Sequence, residues 1–262
     1  ENDGPAWSAT RTLTASALNS WIGEEVRVTG AEASLELFFP TSDLVLSGAV
    51  FGGNDPCGSL LAWRGWSVSD RQSGLTDRLP LAPLPVFAAD GLFPAQDPWV
   101  APFREVDGRA GWYAAASYRI PERLEVRALL YDNRGDPLAL EDGQYAWKSR
   151  FAAAEAVVRL QGRVELVGGF LDGWTVMGEA EAVDAYYRTW FLLASISRGG
   201  HRLSVRYERF DVRDEDRYAA EDPNGEDGDA WTAAWVWEVD RTTELVLELV
   251  SADSARPARA LL

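Results

Sequence analysis

Residues 111–132 read GWYAAASYRIPERLEVRALLYD, and their side chains alternate. Trp112, Ala114, Ala116, Tyr118 and Ile120 fall on one side of an extended chain; Tyr113, Ala115, Ser117 and Arg119 fall on the other. After Pro121-Glu122 the alternation resumes, with Leu124, Val126, Ala128 and Leu130 opposing Glu125, Arg127, Leu129 and Tyr131. Successive strand side chains point to opposite faces, so two such runs around a tight turn predict an antiparallel hairpin.

The pattern spreads outward from this hairpin in both directions. Ala31, Ala33, Leu35, Leu37 and Phe39 alternate with Glu32, Ser34, Glu36 and Phe38. Trp231, Ala233, Trp235 and Trp237, then Leu245, Leu247 and Leu249, repeat it near the end. Further strands are expected near 9–18, 43–52, 144–160, 163–171, 185–197 and 202–212, while helical periodicity is hard to find. Tight turns at Pro40-Thr41-Ser42, Pro121-Glu122, Gln161-Gly162, Gly199-Gly200 and Asp240-Arg241 alternate with long links over 53–110, 132–143, 172–184 and 213–229. A Greek-key sandwich has no reason to keep that order. An up-and-down meander whose two ends face different environments does, and membrane barrels pair short turns with longer loops in this way. Most runs reach the roughly 9–11 residues a tilted strand needs to span a bilayer, and Trp and Tyr gather toward their ends, where an interface favours amphipathic rings. The expected fold is all-β, an up-and-down antiparallel transmembrane β-barrel of roughly 11–12 or more strands, in one domain over 1–262. A large soluble sheet with aromatic cross-strand pairs is the competing reading.

Composition fits this expectation by exclusion. With 25 basic and 41 acidic residues the formal charge is −16, against the basic face that nucleic-acid binding needs. One Cys cannot build a disulfide framework or a cysteine zinc site, and one His leaves little room for a His cluster or a Ser-His-Asp hydrolase. The longest apolar runs are far short of the roughly 20 residues of a membrane helix. No G-x-S-x-G, P-loop or H-E-x-x-H motif occurs. We therefore expect no enzyme, no cofactor and no metal site. The chain begins at Glu1 without a charged or apolar leader, as a processed chain or a separately prepared piece would.

The stretches GAVFGGNDPCGSLLAWRGWSVSDRQSG, GWYAAASYRIPERLEVRALLYDNRGDPLALEDGQYAWKSRF and HRLSVRYERFDVRDED with NGEDGDAWTAAWVW resemble bacterial outer-membrane porin-like proteins, the group of phosphate-selective-type porins and their uncharacterised relatives. The resemblance covers about residues 15–258. It implies a barrel in the cell outer membrane of a Gram-negative bacterium, passive diffusion of small hydrophilic solutes or ions, contact with outer-membrane lipids, and a homo-oligomer such as the trimers common among porins. Such barrels usually end on an aromatic residue, whereas this chain ends ARPARALL, so strands are expected to be missing at the termini and the total is left open.

If apolar faces meet lipid, the opposite faces line the interior. Glu32, Glu36, Arg119, Arg127, Lys148, Arg150, Arg206 and Glu208 are the pore-lining candidates, since facing rows of charge tune selectivity; salt bridges bracing a plugged or structural, non-conducting barrel are the alternative. The 53–110 link is longer than ordinary loops and rich in Trp, Phe and Pro. Part of it is expected to fold inward as a constriction with Arg64, Arg71 and Arg104 near the pathway, an extracellular cap or an added strand at 60–68 being the alternative. The acidic 211–229 stretch is read as a solvated loop in preference to a Ca²⁺ site, His201 as an exposed turn residue, and Cys57 as incidental within a flexible segment. A soluble Trp-rich β protein that binds carbohydrate through exposed aromatic faces is the functional alternative from another class.

Overall fold

Each tight turn joins two neighbours of one sheet. The structure, a computed structural model, describes residues 11–68, 74–218, 222–240 and 243–254. A short helix α1 (Ala17–Ser20) comes first and runs into a π-helical turn at Trp21–Glu25. Then follow β1 (Thr29–Phe39), β2 (Ser42–Gly52), β3 (Leu79–Pro80), β4 (Trp99–Val100), β5 (Gly111–Ile120), β6 (Leu124–Asp132), β7 (Leu140–Glu141), β8 (Gln144–Tyr145), β9 (Lys148–Leu160), β10 (Val164–Met177), β11 (Val183–Arg198), β12 (His201–Asp214), β13 (Glu226–Glu238) and β14 (Glu244–Ser254). Pairs β3–β4 and β7–β8 stand apart, and the other ten strands form one antiparallel sheet in the order β1-β2-β5-β6-β9-β10-β11-β12-β13-β14. The protein is thus all-β and up-and-down. Among the described residues β1 and β14 are the outermost strands, and the sheet does not close on itself.

Two expected boundaries move. Residues 11–20 contain no strand; Ser16 caps α1, its hydroxyl accepting from the Asn19 N–H, and the segment lies buried against the sheet. Alternation in ten residues cannot separate an edge strand from an irregular segment whose apolar side chains pack on one side. The long link over 172–184 shrinks to 178–182, because β10 and β11 stay paired from Val164↔Ile196 to Met177↔Val183. Gly173, which reads as a breaker, sits where a Cβ would meet the Arg150 carbonyl at 2.6 Å and the Tyr187 ring at 2.7 Å. It marks close packing inside a strand.

The sheet has two unlike faces. The packed face carries Phe51, Tyr131, Phe151, Leu171, Tyr187, Phe191 and Phe210, all buried beneath the N-terminal segment and the 53–107 connection. Trp63, wholly buried in that connection, meets Trp147 edge-on at 4.8 Å, while Trp21 and Trp66 both meet Tyr187 edge-on, at 5.9 and 6.0 Å. The outer face is apolar and uncovered. Leu192, Leu203, Leu247 and Leu249 are each more than half exposed there, as is Trp231. Across the register Trp190, Tyr207 and Trp231 run side by side, and Trp235 and Trp237 stack near His201 at the turn.

Candidate functional site

The outer face changes character at a common level. Toward the tight turns β9, β10, β11 and β12 show Leu160–Ala152, Val164–Phe170, Ile196–Trp190 and Leu203–Tyr207. Toward the longer links the same faces turn charged, and the charges pair between strands: Arg150 with Asp132 at 3.0 Å, Arg188 with Asp172 at 2.9 Å and Arg209 with Asp227 at 2.9 Å. At about 3.4 Å per residue the apolar band extends roughly 20–27 Å along β9, β10 and β11 and about 14 Å along β12. An uncovered apolar surface of this extent is foreign to a soluble monomer.

This level corrects two candidates. Lys148 and Arg150 share the outer face with Ala152 and Ala154, opposite Phe151, so they are not on the interior side. Both lie over the Trp174 ring, at 5.4 and 5.9 Å. Their strand runs beyond the apolar band, and the charge that looked interior sits above it. The other six candidates lie on the packed face. Arg119 pairs with Asp43 at 2.9 Å, Glu36 is exposed at the sheet edge on β1, and Glu32 and Arg127 line a common cavity.

Arg206 and Glu208 are on the packed face but closed off. Glu208 is fully buried and accepts from the Arg206 guanidinium at 2.8 Å and the Ala17 N–H at 2.6 Å. Arg206 also donates to Thr12 Oγ1, to the Thr14 and Ala15 carbonyls and to Thr232 Oγ1 at 2.8–3.1 Å. Glu248 of β14 accepts from the Leu13 and Thr14 N–H groups and the Thr14 hydroxyl, and Arg11 pairs with Glu165 at 2.8 Å. The N-terminal segment is therefore clasped along the packed face from β10 to β14. That role was invisible in the sequence, because the partners are 154–235 residues apart.

The constriction candidates separate. Arg64, in the π-helical turn Leu60–Arg64, pairs with Glu25 at 2.6 Å, joining the 53–107 connection to the N-terminal segment. Arg104 donates to Asp142 at 2.6 Å and Glu141 at 3.3 Å beside the β7–β8 hairpin. Arg71 lies outside the described residues. The connection is pinned at Asp55, whose carboxylate accepts from the Val106 N–H at 2.6 Å. Burial pushes the Asp55 carboxyl up to about 7, the Val106 N–H opposing it and nearby Asp107 and Glu105 adding to it. Asp55, Glu105 and Asp107 cluster, but backbone N–H groups of Gly53, Gly108, Arg109 and Asp136 occupy the other two carboxylates. They fasten a loop.

Cys57 is buried, not flexible; desolvation pushes its thiol up to about 12, which makes it inert. In the acidic stretch Asp222 and Asn224 are fully buried and Glu226–Gly228 already belong to β13, so the 222–229 run is neither wholly solvated nor a calcium loop. Burial pushes the Asp222 carboxyl up to about 7, the Trp63 indole N–H and the Asn224 amide opposing it.

The cavity is the open part of the packed face. It measures about 540 Å³ and lies between Ile22 and the strands β1, β2, β5, β6 and β9. Glu32, Ser47, Tyr113, Ser117, Arg127 and Glu155 supply its polar groups, the alanines of β5, β6 and β9 its smooth floor. The Glu32 carboxylate accepts from the Tyr113 hydroxyl and Arg127 pairs with Glu125. Small residues in adjacent strands leave the space, and Arg and Glu hold its rim.

No family model matches the chain, and no curated protein matches it. Among solved structures it is similar to OmpTdeltaL8 (loop L8 deletion mutant of OmpT), an outer membrane protein of Vibrio cholerae, with 9% identity, 87% of each chain covered and a TM-score of 0.43.

Proposed function

We propose that this chain is an outer-membrane β-barrel protein that passes small hydrophilic solutes or ions along its packed face. The observation that carries the reading is the division of the ten-stranded sheet: an uncovered apolar outer face bounded by a paired charge row, over a packed face holding the buried and ionised side chains. A bilayer asks for that arrangement, since a lipid-facing band about 25 Å tall opposes a polar interior. In this reading the outermost strands close with strands beyond those described, the outer face contacts lipid, and no catalytic step is involved. The clasped N-terminal segment and the 53–107 connection narrow the interior, and the cavity beside β1–β9 is the wider side.

A second reading, a structural barrel without conductance, is favoured by the core that fills the packed face beneath β9–β13. Two measurements decide. The folded chain is expected to need detergent, to resist SDS until heated, and to migrate faster unheated; free solubility without detergent refutes the membrane reading and restores the carbohydrate-binding alternative. Planar bilayers are then expected to show stepwise conductance, and their silence leaves the structural barrel.

A further inference from the structure

The two rims of the outer apolar band carry their charge differently. At the rim nearer the longer links, the outer-face arginines of β9–β12 (Arg150, Arg188, Arg209 and Arg213) each pair with an aspartate. Lys148, the other cation there, lies over the Trp174 ring. At the tight-turn rim stands Arg198, the last residue of β11, outward-facing like Ile196 two residues before it. It is exposed, and among the described residues its guanidinium has no ion pair or hydrogen bond. Its cross-strand partner is His201, whose partner on β13 is Trp237, so the three form one outward row beside the row of Ile196, Leu203 and Trp235. The His201 imidazole stacks on Trp235 at 5.8 Å and on Trp237 at 5.7 Å, which holds it in place. The other charges next to this turn, Arg202, Glu238 and Glu244, fall on the packed-face side by alternation. Neither outward row contains a carboxylate.

In water such an arginine is simply hydrated. At the rim of a lipid-facing band it lies at the level of the headgroup phosphates. We infer that Arg198 and His201, backed by Trp235 and Trp237, seat the headgroup of an anionic phospholipid, a phosphodiester without an amine such as phosphatidylglycerol. The inference rests on the membrane reading above. The guanidinium fork and an imidazole N–H donate to the phosphate oxygens. Ile196, Leu203 and Leu247, each more than half exposed, lie beside the acyl chains. A headgroup amine would compete with Arg198 for the same phosphate, which ranks an anionic lipid above a zwitterionic one. Short turns of membrane barrels face the periplasm, so the seat belongs to that leaflet. At the opposite rim aspartates already neutralise the arginines, and no equal seat is expected.

Tryptophan quenching tests this, because Trp231, Trp235 and Trp237 are exposed on the outer face. The full chain is reconstituted in phosphatidylcholine vesicles with rising fractions of brominated phosphatidylglycerol or brominated phosphatidylcholine at fixed ionic strength. The association constants are expected to favour phosphatidylglycerol about fivefold, the factor that one basic side chain gives near an anionic surface. Arg198→Gln is expected to remove the preference, Arg198→Lys to keep most of it, and Lys148→Gln to leave it unchanged. His201→Phe, which keeps the stack and removes the N–H, is expected to lower it about twofold and covers the case in which Arg198→Gln fails to fold. No preference in the unmodified chain, a preference untouched by folded Arg198→Gln or His201→Phe, or an equal drop in Lys148→Gln overturns the inference while the membrane reading stands. Loss of the preference in excess inorganic phosphate at matched ionic strength assigns the seat to a free anion and overturns it as well. A chain that stays out of vesicles refutes the membrane reading, and this inference with it.

Discussion

Leu192→Arg places a charge within the exposed apolar band of the outer face. Leu192 is 62% exposed on β11, between Trp190 and Ala194, with Tyr207 as its cross-strand partner on β12. The apolar stretch of that strand runs from Ile196 to Trp190, about 20 Å, and Leu192 lies about 7 Å inside the Trp190 edge. An Arg at the bilayer midplane of a barrel costs about 2–4 kcal/mol, falling to 0–1 near the interface. A site partway in is expected to cost about 2–3 kcal/mol. On a water-exposed sheet the same change stays within about 0.5 kcal/mol. Asp184→Arg, on the same strand and face but inside the charged end, is the matched control and is expected to cost no more than about 1 kcal/mol. Urea titration from phospholipid vesicles, followed by tryptophan fluorescence, reads the difference as a shift in midpoint. If Leu192→Arg and Asp184→Arg unfold together at the wild-type midpoint, the outer face is not in lipid and the membrane reading falls.

Arg127→Glu and Arg150→Glu, which look equivalent in the sequence, are expected to part in bilayer recordings: the first shifts the reversal potential toward cations, the second leaves it unchanged, and equal shifts refute the assignment of faces. Arg206→Met strands the buried Glu208 and releases the N-terminal segment, for an expected loss of about 3–5 kcal/mol and protease cleavage within residues 11–28; Arg206→Met with Glu208→Leu is expected to regain part of the stability but not the protection. Asp222→Asn is expected to change the pH profile of stability. The folded Asp222 keeps a proton to about pH 7 that the unfolded chain releases near 4, so its contribution is full below about pH 4 and declines as pH rises to 7, by up to about 1.4 kcal/mol per pH unit. The variant lacks that decline, and an identical slope in urea titrations at pH 4.5, 5.5 and 6.5 would falsify the assignment. Deleting 75–100 from the connection is expected to raise single-channel conductance, and an unchanged value removes the narrowing role.

The strands were legible because alternation is local. The apolar and polar sides of 31–39, 112–120, 124–131 and 231–237 fall on the outer and packed faces as their side chains require. Connections were less legible. Gly173 breaks strands in general and here serves close packing with Tyr187, a distinction set by a neighbour fourteen residues on, in the adjoining strand. The clasp of Arg206, Glu208 and Glu248 on residues 12–17 was beyond reach for the same reason. Glu155 was missed because it stands in FAAAEAVV, where flanking alanines hide which side is apolar.

That alanine run also explains the error at Lys148 and Arg150. Between Phe151 and Val157, alanines stand on both sides of β9, so the phase of the alternation cannot be taken from hydrophobicity and the charges alone were made to stand for the interior. The phase is fixed instead across the sheet. Leu124, Val126, Ala128 and Leu130 of β6 are unambiguous, and their partners Val158, Ala156, Ala154 and Ala152 must share their face. One step further Asp132 meets Arg150, and the pair joins at 3.0 Å. A charge on an apolar face thus marks the edge of the band rather than its other side, and opposite charges at equal height on β6 and β9 are the sign by which a sequence reader could have told the two apart.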